Sequence, residues 1–586
     1  MSPSHSSPRT VAHEVGRMLA AQGVEHVFGV TGSGNFIVTS ALVQAGATYV
    51  AARHEAGAVT MADGYARAGR RTGMASVHQG PGLTNALTGL TEAVKSRSPL
   101  VLLAGDTSDG AIRSNFYIPQ ADVTAALGAG TERPRDAAEA PAAAARALAR
   151  ATAEHRPVVL HLALDVQHTP ALAPDPAHMS ASAPAPAPTS ASASKPAPAS
   201  SAAASASAPA SARAATVADA DLQRLVAAVD AAERPLILAG RGVWDSGCAA
   251  DVAALRERTG GLLATSAAAN GQFAGDPWSL GICGGFASPP AAELIRDADL
   301  ILGLGVSYTK WTTRHGRGFA GDATVVQVDH DRDALAADPR VDLTVRADVA
   351  EVAAALLKRC AERRPAERRW DQRIGRAAVA ACAWHAQPYA DETGGGLIDP
   401  RTLSLRVEAQ LPAARTVVVD GGHFVGWPSM YWPVPDPAGY LFTGAGFQSI
   451  GLGLGTAAGA AIARPDRVTV LAIGDGGLHM SLAELDTLAR LNLPVLVVVY
   501  NDAAYGAEVH HYRDSGGDLG LVRFPDSDFV SVAAGFGIRG ATVREPSDLD
   551  VIDEWRAGDD RGPLLLDAKI VPTVVADYQS EAFVGH

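Results

Sequence analysis

GDGGLHMSLAELDTLARLNLPVLVVVYNDAAY, Gly474 to Tyr505, is the stretch that decides the fold. An apolar run, Val468–Ile473, ends in Gly474-Asp475-Gly476. A segment of helical period follows, with Leu482, Leu485 and Leu488 spaced three apart, and Pro494 then opens a second apolar run to Tyr500. That run ends in Asn501-Asp502. Two strand-length runs around a helix make a βαβ unit whose parallel strand ends lie side by side. Polar residues at such ends stand where open α/β sheets bind ligands. Asp475 and Asp502 can share one hard cation there through oxygen, and the glycines let a diphosphate approach the backbone.

Upstream, the same alternation repeats. Val11–Leu19 has the period of an amphipathic helix and Val24–Val30 reads as a short buried strand, ending in the loop Thr31-Gly32-Ser33-Gly34-Asn35. Tyr49–Arg53 leads into His54-Glu55-Ala56-Gly57 and a helix over Ala58–Ala68. Met74–His78 leads into Gln79-Gly80-Pro81-Gly82 and a helix over Leu83–Ala93, before a strand at Leu100–Ala104. Strand, glycine loop and helix in repetition mark a doubly wound parallel sheet with its loops on one edge. A second α/β block carries strands at Leu236–Ala239, Leu300–Leu304 and Thr324–Val328, and a charged helical stretch, Arg359–Arg376, separates it from the third. The third holds a strand at Val417–Asp420, the glycine-rich Gly444–Gly459, the quoted unit and a final strand at Pro563–Ala568. The last dozen residues follow no pattern and either cap an active site or trail free.

Between the first two blocks, composition turns to Ala, Pro and Ser with Asp175, Lys195 and Arg213 as the only charges. This reads as a disordered or polyproline-like tether without chemistry. The expected fold class is therefore α/β, with three doubly wound parallel-sheet domains over 1–168, 216–375 and 376–586 and a long linker over 169–215. At 586 residues each block is long enough to bury its own core. A net charge of −13 argues against nucleic acid or a membrane surface as partner. The apolar runs are strand-length or broken by glycine, so no membrane span is expected. The opening MSPSHSSPRT lacks a basic-then-apolar signal layout, and the chain reads as cytoplasmic. Cys248, Cys283, Cys360 and Cys382 show no C-x-x-C spacing and read as reduced and structural.

A GDG turn followed after 24 residues by an Asn-Asp pair resembles the GDG…NN motif of thiamine-diphosphate (ThDP) enzymes. With HEAGA at Glu55 and HQGPG at His78, the chain resembles the acetolactate synthase and 2-oxo-acid decarboxylase group. The resemblance covers three blocks in order, pyrimidine-binding, middle and diphosphate-binding, and leaves only the linker outside. It implies ThDP and Mg²⁺ as cofactors, and a homodimer or homotetramer with each site between two subunits.

Residue by residue, the resemblance gives Glu55 the place of the glutamate that hydrogen-bonds N1′ of the aminopyrimidine, a role that burial serves by raising its pKa. The plainer alternative is a helix N-terminal carboxylate stabilised by the helix dipole. Ile450, in GFQSIG, takes the place of the bulky residue that holds the cofactor in a V, with the Gln448 carbonyl, just before Ser449, facing the 4′-amino group. Gly444-Ala445-Gly446 also begins a dinucleotide-binding G-x-G-x-x-G, but Ser449 replaces its third glycine. Asp475, Asp502 and the Ala504 carbonyl match the metal ligands, with diphosphate oxygens and a water completing the octahedron of Mg²⁺. The family's usual Asn is Asp502 here, so either the site tolerates the extra charge or the ligand shifts to Asn501. Gly474, Gly476, Gly477, Tyr505, Gly422, His423 and Phe424 are expected beside the phosphates, with a surface histidine as the alternative at His423.

His78 and Ser33 match a histidine and a serine of benzoylformate decarboxylase-like sites, where a histidine moves protons near neutrality. Gln120, in IPQADV, serves as the acetolactate synthase glutamine only if its loop shifts by one residue. Glu508, in YGAEVHH, matches a catalytic glutamate of pyruvate decarboxylase-like enzymes, or is an exposed helix residue. Arg314, in the run from Lys310 to Gly316, is placed to pair with a substrate carboxylate. The segment GVSYTKW, Gly305–Trp311, lacks the arginine expected of an FAD-binding middle domain, which argues against FAD. The implied activity is decarboxylation of a 2-oxo acid with transfer of the acyl unit to a second carbonyl. Simple decarboxylation is the runner-up, on His78, Ser33 and Glu508. A catalytically silent ThDP-binding assembly subunit is the alternative of another class, and Glu55, Asp475 and Ile450 together argue against it.

Overall fold

The computed structural model describes residues 9–171, 217–332, 334–336, 339–361, 370, 373–558 and 561–579. Most of the linker and part of the Arg359–Arg376 stretch lie outside the described residues. Three six-stranded sheets follow one another, and every strand pair in them is parallel. The first contains β1 (His26–Gly29), β2 (Thr48–Ala51), β3 (Gly73–Val77), β4 (Leu100–Asp106), β5 (Gly130–Glu132) and β6 (Val158–Ala163), in the order β2-β1-β3-β4-β6-β5. The second contains β7 (Pro235–Ala239), β8 (Leu262–Thr265), β9 (Ser279–Ile282), β10 (Leu300–Leu304), β11 (Thr324–Asp329) and β12 (Leu343–Arg346), in the order β12-β11-β10-β7-β8-β9. The third contains β13 (Arg415–Val419), β14 (Tyr440–Phe442), β15 (Val468–Gly474), β16 (Val495–Asn501), β17 (Arg539–Val543) and β18 (Leu564–Lys569), in the order β14-β13-β15-β16-β18-β17.

The central strands read as unbroken Val, Ile and Leu runs because both faces are covered. Leu100, Leu102 and Ala104 enter one core, and Val101 and Leu103 between them enter another. In β15, Leu471 and Ile473 alternate in the same way with Val470 and Ala472. The first and third sheets share one core, which runs from Leu102 through to Leu471 and Val497. Helices Glu55–Gly69 and Gly453–Ala463 join them. A Cβ on Gly459 would overlap the Met61 carbonyl, and one on Gly64 the Thr456 carbonyl. The heavy alanine and glycine content is what lets these helices approach so closely.

Two buried carboxylates fasten this joint. Glu92 accepts from the Gly446 and Phe447 N–H groups at 3.2 and 2.8 Å. Glu484 accepts from the Arg53 and His54 N–H groups, both at 3.0 Å, and from the Thr487 hydroxyl at 2.7 Å. Glu484 thus fixes the entry to the Glu55 helix from the third sheet. Glu484→Ala leaves two backbone donors without their acceptor and is expected to cost about 2–3 kcal/mol, checked by urea unfolding at pH 7.

Thr169–Ala171, which composition assigns to the linker, are instead held to the N-terminus. Val11 N–H donates to the Thr169 carbonyl at 3.0 Å and Ala171 N–H to the Arg9 carbonyl at 2.8 Å. At the other end, Val574, Ala576 and Tyr578 are buried. Tyr578 donates to the His423 carbonyl and packs on Phe286 and Trp311 of the second block. Residues 571–579 therefore cap the loop after β13. All four cysteines carry free thiols, and burial pushes the Cys283 thiol up to about 12. Among the described residues, no helix is long and apolar enough to cross a membrane.

Candidate active site

Each sheet has one place where neighbouring strands lead their chains to opposite sides, and this is where open α/β sheets form a binding crevice. In the first sheet it lies between β1 and β3, in the third between β13 and β15. Most of the residues singled out from sequence gather at these two places, Arg314 of the second block excepted.

At the first, the loop after β1 meets the turn after β3. The His78 Nε2 lies 3.2 Å from the Ser33 hydroxyl, and its Nδ1 lies 2.8 Å from the Gln79 carbonyl. A carbonyl only accepts, so Nδ1 carries a proton, and in the neutral ring Nε2 then accepts from Ser33. The Phe116 ring stands against His78 with ring centroids 4.9 Å apart. Glu55 opens its helix with its carboxylate half-buried, accepting from Asn85 Nδ2 at 3.0 Å. A Cβ on Gly82 would lie 3.1 Å from His78 Cβ and 3.5 Å from Glu55 Oε1, so the two side chains border the same turn. Gln120 is different: it is buried, accepts from Gly80 N–H at 2.7 Å and donates to the Gly105 carbonyl at 2.8 Å. Its amide holds the turn instead of facing a ligand.

At the second, Asp475 follows β15, opening the helix Asp475–Ser481, and Asp502 follows β16. Burial pushes both carboxyls up, each to about 7, and the charge of Asp502 adds to the rise at Asp475. The Ala504 N–H serves both carboxylates. Asp502 Oδ1 is buried and has no hydrogen-bond partner among the described residues. Two buried carboxyl groups with an orphaned oxygen fit a small divalent cation, which neutralises the pair and supplies the missing contact. The donor set is all oxygen, as Mg²⁺ requires. Asn501 does not compete for this role. Its Nδ2 donates to Asp567 at 2.8 Å and its Oδ1 accepts from Ala503 N–H at 3.0 Å.

Gly422, Gly474 and Gly476 surround the Asp475 turn, and a Cβ on any of them would press on Phe424 or Tyr505. Phe424 itself is core, stacked on Tyr500 with centroids 5.4 Å apart. His423 is buried 3.5 Å from Asp502 Oδ2, and burial lowers it to about 4, so the ring is neutral. His423, Asp502 and His510 bring their ligand atoms within 4.8 Å of one another. Arg513 Nη2 donates to His510 Nδ1 at 2.6 Å, which puts the ring proton on Nε2 and leaves that nitrogen no lone pair for a metal. Gly506 starts the helix Gly506–Tyr512, and a Cβ there would overlap Asp502 Oδ2 and the His423 ring. Gly506→Ala is expected to weaken cation binding by about tenfold or more, measured by Mn²⁺ titration with the fold checked by circular dichroism.

Ile450 is 42 % exposed and Tyr505 40 % exposed in the single chain. Gln448, two residues before Ile450, holds φ +60. Glu508 lies half-buried on the helix after Asp502. Arg314 lines a small cavity inside the second block with Cys283, Ala287 and Ile295, which places it with the second sheet's own helices. Asp420 was not singled out from sequence. It is fully buried, accepts from the Gly421, Gly451 and Leu452 N–H groups, and ties the Ile450 loop to the end of β13. Burial raises its carboxyl to about 6. Its only sequence signal is an acid directly before the Gly-Gly at a strand end.

Three family models match in order along the chain: the N-terminal TPP binding domain of thiamine pyrophosphate enzymes over residues 9–126, the central domain over 222–356, and the C-terminal TPP binding domain over 420–568. The chain is 26 % identical to a sulfoacetaldehyde acetyltransferase of Alcaligenes xylosoxydans xylosoxydans, with 90 % of this chain and 87 % of that protein covered. It is 27 % identical to the acetolactate synthase isozyme 3 large subunit of Escherichia coli, with 92 % and 90 % covered. The fold is similar to that of a thiamine diphosphate-dependent 4-hydroxybenzoylformate decarboxylase of Rhodococcus jostii, with a TM-score of 0.76 at 22 % identity over 96 % of this chain and 99 % of that one. The sheets, the order of the blocks and the matched models agree: the chain belongs to the thiamine pyrophosphate enzymes, in their acetolactate synthase and decarboxylase group.

Proposed function

We propose that this enzyme decarboxylates a 2-oxo acid and transfers the remaining acyl unit to a second carbonyl compound. The observation that carries transfer over simple release is the hydrogen bonding of His78. Its Nδ1 proton is spent on the Gln79 carbonyl and its Nε2 accepts from Ser33. In that state neither ring nitrogen offers a proton to a carbanion, which leaves time for a second carbonyl to react. The names of the two relatives, an acetolactate synthase and an acetyltransferase, support the same reading.

In this reading Asp475, Asp502 and the Ala504 carbonyl hold Mg²⁺. Gly422, His423, Gly474, Gly476, Gly477 and Tyr505 border the diphosphate, and Gln448, Ser449 and Ile450 hold the middle of the cofactor. When bound, ThDP supplies the electron sink for loss of carbon dioxide. Glu55 holds and moves a proton at its carboxylate, and Asn85 orients it. Ser33 and His78 line the substrate side of the site, Glu508 exchanges a proton from the helix after Asp502, and Gln120 positions the Gly80 turn. Glu55 and Ile450 are both part-exposed in one chain, which supports a homodimer or homotetramer in which two copies face each other across the cofactor. FAD has no part in the proposal. The close approach of the loops after β7 and β10, where Gly242 N–H donates to the Gly305 carbonyl at 3.1 Å, supports leaving it out.

The test is incubation with ThDP, Mg²⁺ and a panel of 2-oxo acids, with and without acceptor aldehydes, the products read by mass spectrometry. Acyloin or 2-hydroxy-2-acyl acid products are expected. Free aldehyde alone, with acceptor present, would establish the second reading, a non-ligating decarboxylase in which Ser33 and His78 deliver the proton. ThDP binding without carbon dioxide release from any 2-oxo acid would point to a silent assembly subunit.

A further inference from the structure

The cation loop is tied to a buried lysine that no motif contains. Lys569 ends β18 directly opposite Asn501 of β16 in the parallel register. Its side chain is 6 % exposed, and its ammonium donates to Asp526 at 2.5 Å and to the Ser527 carbonyl at 2.8 Å and pairs with the Asp567 carboxylate at 2.9 Å. Asp567 accepts from Asn501 Nδ2 at 2.8 Å and from Phe529 N–H at 3.2 Å. Asn501 also reaches Asp526 at 3.3 Å. Its Oδ1 accepts from Ala503 N–H at 3.0 Å, and Ala503 stands at φ +54. That left-handed residue turns the chain between Asp502 and Ala504. Holding a non-glycine residue there costs free energy, so something must hold it.

The same lysine holds a second segment. Through Asp526 and Ser527 it anchors the strap Leu519–Asp528, which pairs with the cation loop by Tyr505 N–H to the Val522 carbonyl and Phe524 N–H to the Ala503 carbonyl, both at 2.9 Å. A buried ion pair contributes little net stability over an apolar pair of equal volume, whereas its geometry fixes what it touches. We propose that Lys569 is a positioning residue: through Asp567–Asn501 it sets the loop that carries Asp502 and Ala504, and through Asp526 it clamps the strap across that loop. This rests on Asp502 being a cation ligand, and not on which carbonyl chemistry follows.

The test is Mn²⁺ affinity by electron paramagnetic resonance in the full chain without ThDP, with limited proteolysis of the strap read in parallel. Lys569→Met is expected to weaken Mn²⁺ by about 10- to 100-fold and to speed cleavage within 519–528. Lys569→Met/Asp567→Asn removes the charge left unpaired, and is expected to recover the thermal midpoint but not the affinity. Asp526→Ala, at a half-exposed residue, is expected to loosen the strap and weaken Mn²⁺ in a protein of native stability. Native affinity in the folded double variant, or an unchanged strap in Asp526→Ala, would overturn the proposal and leave Lys569 as a charge balance. Asp475→Asn is the control for the site itself: if it leaves Mn²⁺ affinity unchanged, the cation reading fails and takes the proposal with it.

Discussion

Glu55→Gln is expected to lower the rate of carbon dioxide release by about 10²- to 10⁴-fold, the range over which a positioned acid–base group acts. The substitution is isosteric, and the one side-chain bond the carboxylate makes, from Asn85 Nδ2 at 3.0 Å, is available to an amide oxygen as well. The helix Glu55–Gly69 keeps its His54 cap and its packing on Gly453–Ala463. What the amide loses is the capacity to carry a proton. ThDP affinity, followed by tryptophan fluorescence, should therefore change only a few-fold while turnover falls. A variant that retains full turnover would return Glu55 to its plainer role as a helix N-terminal carboxylate. Loss of ThDP binding and turnover together would mean that it holds the cofactor without moving its proton.

The fold was legible because parallel sheets buried on both faces write themselves as apolar runs separated by glycine loops. Leu300–Leu304 coincides with β10, and the helix expected over Ala58–Ala68 lies within Glu55–Gly69. The short outer strands left no such run. β5 has three residues, β14 also three, and β9 alternates between buried and open positions, so periodicity alone does not find them. The candidate cation site was readable where a motif is compact, since Asp475 and Asp502 follow the paired strands β15 and β16. It was not legible where function depends on a partner far along the chain. Asp420, Glu484 and Lys569 act through backbone groups and side chains brought to them by folding, and each alone reads as an ordinary acid or base. Gln120 shows the converse: a polar residue in a suggestive segment whose amide is engaged by its own fold.

Cation affinity is expected to rise by up to about a hundredfold per pH unit from pH 5 towards 7 and then level off, two protons being displaced per cation where both carboxyls start protonated. Asp475 and Asp502 both titrate near 7 in the folded chain, well above the ordinary carboxyl value of 3.8. Their folded pKa is raised, so the metal-free protein holds more protons than the unfolded chain does between these values. The stability these two carboxyls contribute is therefore fully present below about pH 4 and is lost as pH rises through 7. A divalent cation reverses that slope, because it binds the charged forms that burial and mutual repulsion disfavour. Mn²⁺ titrations at fixed ionic strength without ThDP read the affinity, and thermal midpoints with and without the cation read the linkage. The gap between the two midpoints should widen from pH 5 to 7.5. Asp502→Asn removes the neighbouring charge, which lets Asp475 ionise at lower pH and moves the rise in affinity down the scale. Affinity that stays flat from pH 5 to 7 would mean that the two carboxyls are already ionised in the metal-free chain, with some other group compensating their charge.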